Sequence, residues 1–217
     1  MTHVREHRSL LAAAEKRLLI FIAERLPRSV NSDHLTFLAL AGMALAGAAF
    51  AAARWDLRAL WIVVFALAVN WFGDSLDGTL ARVRHTERPR YGFYIDHALD
   101  IAGATLLFGG LAASPFMSPL LAMALLVAYL LVAGEVFLAT AVRGVFRLSV
   151  AGIGPTELRL LLAAGAVALL HDPHVSIGPV TVRLFEFGGA IAAAGLIGAF
   201  VVSVCRNATA LAVAERG

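Results

Sequence analysis

Six apolar stretches, each closed by charged or helix-breaking residues, follow a first segment in which charge and apolarity interleave. The stretches run over roughly residues 35–53, 58–77, 94–113, 117–140, 156–171 and 184–205. They are separated by Arg54–Asp56–Arg58, a basic run through Pro89, Ser114–Pro115, Gly152–Gly154–Pro155 and Asp172–Pro173. A helix needs about 20 apolar residues to cross the hydrocarbon core of a bilayer. The pattern therefore predicts six transmembrane helices, the fifth of them short, with His171 and Asp172 at its outer end. In the first 30 residues Leu10, Leu11, Ala14, Leu18, Leu19, Ile22 and Leu26 approximate one helical face, while Arg5, Arg8, Lys16, Arg17 and Arg25 fall largely elsewhere. That is the pattern of an amphipathic helix lying at the membrane interface. The segment lacks the unbroken apolar core and small-residue cleavage site of a secretory signal.

Composition supports a membrane protein. Of 217 residues 60% are hydrophobic and 15% charged, with a mean hydropathy of +0.81; soluble domains carry about 25% charged residues. A soluble enzyme, a disordered chain and a nucleic-acid arm are poor fits. The net charge of +3 comes almost wholly from arginine, Lys16 being the one lysine, and in so apolar a chain it points to anionic headgroups. The single cysteine, Cys205, excludes an intramolecular disulfide and a thiolate metal cluster. Loops rich in Lys and Arg stay cytoplasmic. Fifteen of the 18 basic residues fall in the first segment, the second-to-third and fourth-to-fifth connections and the tail, leaving Arg54, Arg58 and Arg183 for the other side. Both termini are expected in the cytoplasm. The expected organisation is all-α: residues 1–34 an interfacial lead-in, 35–205 a six-helix membrane domain, and 206–217 a cytoplasmic tail. Gly42, Gly47, Gly103, Gly188, Gly189, Gly195 and Gly198 within the spans fit close helix packing.

The chemistry concentrates between Asn70 and Asp100. Asp74 and Asp77 stand at i and i+3 near the end of the second span, and Asp96 and Asp100 at i and i+4 near the start of the third. Each pair shares one helical face, and a short connection folds the two helices into an antiparallel hairpin. Four carboxylates would then converge just inside the cytoplasmic boundary. Each ionisable group in a span costs roughly 2.5–3.5 kcal/mol on insertion scales, and clustered carboxylates repel. Arg82 alone is insufficient compensation; one or two divalent cations suffice, and all-oxygen ligation favours Mg²⁺ or Mn²⁺. Gly78 and Ala81 remove bulk from the Asp74/Asp77 face, Arg82 offers a fork for phosphate oxygens, and Gly92 clears the facing helix one turn before Asp96. His97 is read either as a site residue or as an interface one.

The run Asp74, two residues, Asp77-Gly78, two residues, Ala81-Arg82, nine residues, Gly92, three residues, Asp96, three residues, Asp100 closely resembles the signature of the CDP-alcohol phosphotransferase family. Pro27 and Asn31–Thr36 are similar, more weakly, to the segment that leads into that family's first span. The resemblance implies displacement of CMP from a CDP-linked alcohol by the hydroxyl of a second alcohol, in phospholipid biosynthesis. It implies that Asp74, Asp77 and Asp96 hold two divalent ions, with Asp100 near the metals and acting as general base. Asp74, Gly78, Ala81 and Arg82 would contact the nucleotide, Gly92 would leave room for it, and the enzyme would be a homodimer. The favoured donor is CDP-diacylglycerol; the alternative branch uses CDP-choline or CDP-ethanolamine with diacylglycerol, which the Asp96-His97 pair resembles.

Several residues keep two readings. Arg143 and Arg147 clamp an acceptor phosphate or anchor a helix at headgroups. Glu157 and Arg159, after Gly154-Pro155, start a helix or wall an acceptor pocket. Glu135, deep in the fourth span, needs an arginine or the acceptor site as partner. A divalent-cation transporter is the competing class, but transporter sites commonly lie near the midplane, and such a protein gives the glycine, alanine and arginine of the motif nothing to do.

Overall fold

The computed structural model describes residues 12–144 and 155–216. Among them are seven helices, α1 (Ala12–Ala23), α2 (Ser32–Ala52), α3 (Ala59–Val83), α4 (Pro89–Ala112), α5 (Pro119–Arg143), α6 (Pro155–Leu169) and α7 (Leu184–Ala214), and one hairpin, β1 (His174–Ile177) with β2 (Val180–Arg183). Five helices, α2 to α5 and α7, are long and apolar enough to cross a membrane. The fifth predicted span is α6, whose 15 residues extend about 22 Å against a hydrocarbon core of roughly 30 Å.

Local chemistry sets the helix ends. The Asn31 side chain accepts from the backbone N–H of His34 at 2.9 Å and caps α2. Pro89 and Pro119 open α4 and α5, where a missing N–H costs nothing. Gly144, at φ +68°, closes α5 in the left-handed conformation. Two helices outrun their apolar stretches: α3 continues through Arg82 to Val83, and α7 through the expected tail to Ala214.

The hairpin is an addition to the all-α reading. Val175 pairs with Val182 and Ile177 with Val180, an alternating β-branched pattern around a two-residue Gly178-Pro179 loop. Gly178 has φ +61° and proline holds φ near −65°. That combination is the turn with glycine at its first central position, which suits strand twist.

Helix α2 is the strut of the molecule. A Cβ at Gly42 would stand 2.7 Å from the backbone nitrogen of Asn70 on α3. One at Gly73 would run into the Leu35 carbonyl, one at Gly47 into the Leu106 carbonyl of α4, and one at Gly110 into the backbone of Gly47. Backbone therefore touches backbone on both sides of α2, fixing α3 and α4 relative to one another. Gly188, Gly195 and Gly198 on α7 instead face open space. The core around this strut holds Phe50, Leu60, Val63, Leu111 and Leu169, with Phe185 meeting Phe50 edge-on at 5.7 Å. A second cluster packs Leu19 and Ala23 of α1 against Leu35, Leu76 and Leu80.

Polar tethers define two ends. At one, Glu15 of α1 accepts from Trp71 Nε1 at 2.7 Å and Thr156 Oγ1 at 3.0 Å. There too Arg84, in the α3–α4 connection, donates to the carbonyls of Leu26, Pro27 and Val30, and Arg143 bonds Asn207. At the other, Arg54 reaches the Ala113 carbonyl and Glu186 accepts from the Ser118 backbone. The segments that carry most of the basic residues thus share the first end.

Candidate active site

The α3–α4 hairpin carries the predicted aspartates on facing helices. One carboxylate oxygen each from Asp74, Asp96 and Asp100 lies within 4.8 Å of the others. Asp74 and Asp96 are half-buried and Asp100 is exposed. Asp77 stands outside this set. It is buried, and its Oδ2 accepts from Thr36 Oγ1 at 2.8 Å, while its carbonyl accepts from Ser32 Oγ at 2.9 Å. The first turn of α2 thereby clamps α3 one turn from Asp74.

A basic residue from a distant helix completes the cluster. Arg159 of α6 donates from Nη2 to Asp74 Oδ2 at 2.5 Å and from Nε to Asn70 Oδ1 at 2.6 Å. Asn70 is buried and donates in turn to the Ala39 carbonyl at 2.9 Å, so one amide orients the guanidinium and ties α2, α3 and α6 together. Tyr129 of α5 faces the same group, within electrostatic reach of Asp100, Asp74, Arg159 and Asp96. Asn70 and Tyr129 are the residues that sequence reasoning missed. Neither has a motif spacing to flag it, although a buried amide four residues before Asp74 is a signal in hindsight.

The remaining motif residues sit around the hairpin. A Cβ at Gly78 would meet Arg82 Nη1 at 3.3 Å, so the glycine leaves space for the guanidinium, which also donates to Thr79 Oγ1 at 3.0 Å. Ala81 is half-buried on the same helix. Gly92 has open space where a side chain would stand. His97 bonds the Phe93 carbonyl at 2.7 Å, stacks on Phe93 at 4.3 Å and meets Phe137 of α5 edge-on at 5.3 Å. These contacts join α4 to α5.

The residues expected on the acceptor side divide. Arg159 is within the carboxylate cluster. Glu157, two residues before it in α6, is half-buried and has a partner. Arg143 is exposed and bonds Asn207 on α7. Arg147 lies outside the described residues. For Glu135 an arginine or the acceptor site is the expected partner; among the described residues its partners are Ser203 and Asn207 of α7, at 2.7 and 2.5 Å. Neutral donors suffice because it is a single carboxylate with both oxygens bonded.

Three carboxylates cannot be balanced that way. Two unit charges 4.8 Å apart repel by about 3 kcal/mol at an effective dielectric of roughly 20, less where water reaches. Asp74, Asp96 and Asp100 bring three such pairs, and Arg159 pairs with one of them, Asp74. The grouped donors are all carboxylate oxygens. That chemistry fits a hard divalent cation.

A sequence model described as CDP-alcohol phosphatidyltransferase matches residues 30–206, a stretch that includes both arms of the hairpin and Arg159. Comparison with curated proteins gives no match.

Proposed function

The chain belongs to the CDP-alcohol phosphatidyltransferase family, whose members transfer a substituted phosphate group from a CDP-alcohol to an acceptor alcohol in a membrane; from that premise we propose a phospholipid-forming transferase that uses CDP-diacylglycerol and a water-soluble acceptor. The observation that carries the reading is the convergence of Asp74, Asp96 and Asp100 within 4.8 Å on helices that α2 holds backbone to backbone. In this reading Asp74, Asp96 and Asp100 would hold Mg²⁺ or Mn²⁺, two ions in all, and Asp77, which stands outside the close set and is bonded to Thr36, would join them as a further ligand. When bound, the ions neutralise the pyrophosphate and the charge that develops on departing CMP.

The chain's own groups account for the rest. Gly78 and Gly92 leave room for the nucleotide, Ala81 adds little bulk, and the Arg82 fork binds its phosphate oxygens. Asp100, the exposed member of the cluster, accepts the proton of the attacking hydroxyl, for which hydrogen-bond reach suffices. Arg159 orients Asp74 and borders the acceptor with Glu157; Arg143 and Arg147 grip an acceptor phosphate from the α5–α6 side. The site and both termini face the cytoplasm, α6 is the sixth crossing, and the enzyme works as a homodimer. Shared placement of the basic segments at one end supports that orientation, by the preference of such segments for the cytoplasm.

The test crosses labelled CDP-diacylglycerol, CDP-choline and CDP-ethanolamine with a panel of acceptors, with and without Mg²⁺ or Mn²⁺. Metal-dependent CMP release with CDP-diacylglycerol and a soluble alcohol is the expected result. Turnover of CDP-choline with diacylglycerol would move the protein to the other branch. Cation uptake by proteoliposomes without CMP release from any donor would make it a transporter.

A further inference from the structure

A second polar site lies at the same end of the molecule, on the α2 side of α3. The α1–α2 connection, the first turn of α2 and the α3–α4 connection enclose a cavity of about 670 Å³, lined by Arg28, Arg84 and Arg88 with Asn31, Ser32 and Asp33. Three guanidinium groups face one carboxylate there. Asp33 pairs with Arg88, which also lies over the Tyr91 ring at 4.2 Å. Arg84 spends its donors on the neutral carbonyls of Leu26, Pro27 and Val30. Arg28 is exposed and, among the described residues, pairs with no carboxylate.

Among the described residues two positive charges are therefore left without a counter-ion beside the N-terminus of α2, whose dipole adds to the same sign. We propose that this cavity is a binding site for a phosphate monoester dianion, held by the Arg28 fork, with Arg84 contributing its charge and Arg88 at its rim. Guanidinium forks match phosphate oxygens in geometry as well as charge. Ser32 in the cavity wall bonds the Asp77 carbonyl, and Thr36 one turn on bonds the Asp77 carboxylate, so the occupant braces α3 next to Asp74. The site stands apart from the transferase reading, since none of the four aspartates and none of Gly78, Ala81, Arg82 and Gly92 lines it. Its ligand is a lipid headgroup phosphate or a free phosphate, and the two are separable.

The full chain is placed in nanodiscs with divalent ions chelated, so that the aspartates recruit no phosphate. Its unfolding midpoint is then followed in two arms. In neutral phosphatidylcholine nanodiscs, inorganic phosphate is titrated against chloride at equal ionic strength. In the other arm phosphatidic acid is added to the bilayer without free phosphate. A rise in the first arm identifies a soluble anion, and a rise confined to the second identifies a headgroup. In either case Arg28→Ala weakens the response about tenfold, as expected for loss of a charge-assisted bond, Arg28→Lys largely retains it and Arg28→Glu abolishes it. Arg28 is exposed, so these variants fold; the graded series also separates charge from damage. Absence of a response in both arms, or equal responses from wild type and Arg28→Glu, overturns the proposal.

Discussion

Two carboxylate sites within the membrane-spanning helices solve the same problem in opposite ways. Between α5 and α7, Glu135 is buried and satisfied by Ser203 and Asn207, and Asn207 passes the chain of bonds on to Arg143. Between α3 and α4, three carboxylates crowd within 4.8 Å of one another, and Arg159 pairs with Asp74. The first arrangement is complete as it stands. The second gathers like charges on helices that the glycine contacts of α2 hold in place, a repulsion that a bound cation would relieve. A lone acid in a span is balanced by neutral donors, whereas acids gathered on facing helices mark a candidate site.

The largest effect separating the two sites is on turnover. Asp100→Asn is expected to cut CMP release by about 10²–10⁴-fold, the usual contribution of a positioned general base, and chelation of divalent ions should abolish release until Mg²⁺ or Mn²⁺ is restored. The same substitution removes repulsion, so without metal its unfolding midpoint should equal or exceed that of wild type. A fall in the midpoint instead would give Asp100 a structural role. Glu135→Gln should leave CMP release within a few-fold of wild type.

Metal linkage comes next. A cation bound only by the folded state stabilises it by about 2.7 kcal/mol at a hundred times its dissociation constant. Mg²⁺ or Mn²⁺ should therefore raise the unfolding midpoint of wild type and of Glu135→Gln alike, but not that of Asp96→Asn. Equal shifts in all three proteins would place the ion elsewhere.

The strut that confines the aspartates is open to a steric test of similar size. Gly73→Ala directs a methyl group at the Leu35 carbonyl, and overpacking of this kind costs typically about 1–3 kcal/mol. It should also lower CMP release, because α3 must shift to relieve it. Gly195→Ala, at a helix position with open space around it, should change stability by no more than about 0.5 kcal/mol. Comparable losses in both variants would mean that α7 packs as tightly as α2.

Much of this was legible in the chain, for a physical reason. Helical periodicity places Asp74 with Asp77 and Asp96 with Asp100 on shared faces whatever surrounds them, and the cost of acids in a bilayer makes the cluster conspicuous. What escaped depends on pairings between distant segments. Asp77 is held outside the close set by Thr36, and Arg159 reaches Asp74 across 85 positions of chain. Tyr129 joins the site only because α5 packs beside α4. The hairpin was within reach of a closer reading: Val-x-Val after Gly-Pro is a short alternating pattern, lost beside apolar runs five times its length. The apolar run ends near Asp77, whereas α3 continues to Val83 on backbone hydrogen bonds that ignore side-chain polarity.

The smallest effect is the most discriminating. Glu135→Gln keeps the volume of the side chain and exchanges one acceptor oxygen for an NH₂ group facing Ser203 or Asn207. One of two bonds is lost and two donors oppose one another, which should cost about 1–2 kcal/mol and lower the unfolding midpoint with or without metal. Asp100→Asn, the same chemical change 35 positions earlier, is expected to move the metal-free midpoint the other way. Opposite signs for one substitution at two acids are hard to obtain from general effects of charge on a membrane helix. They follow directly if Glu135 is a satisfied carboxylate and Asp100 a repelled one, and matching signs would remove the distinction between a structural acid and a site.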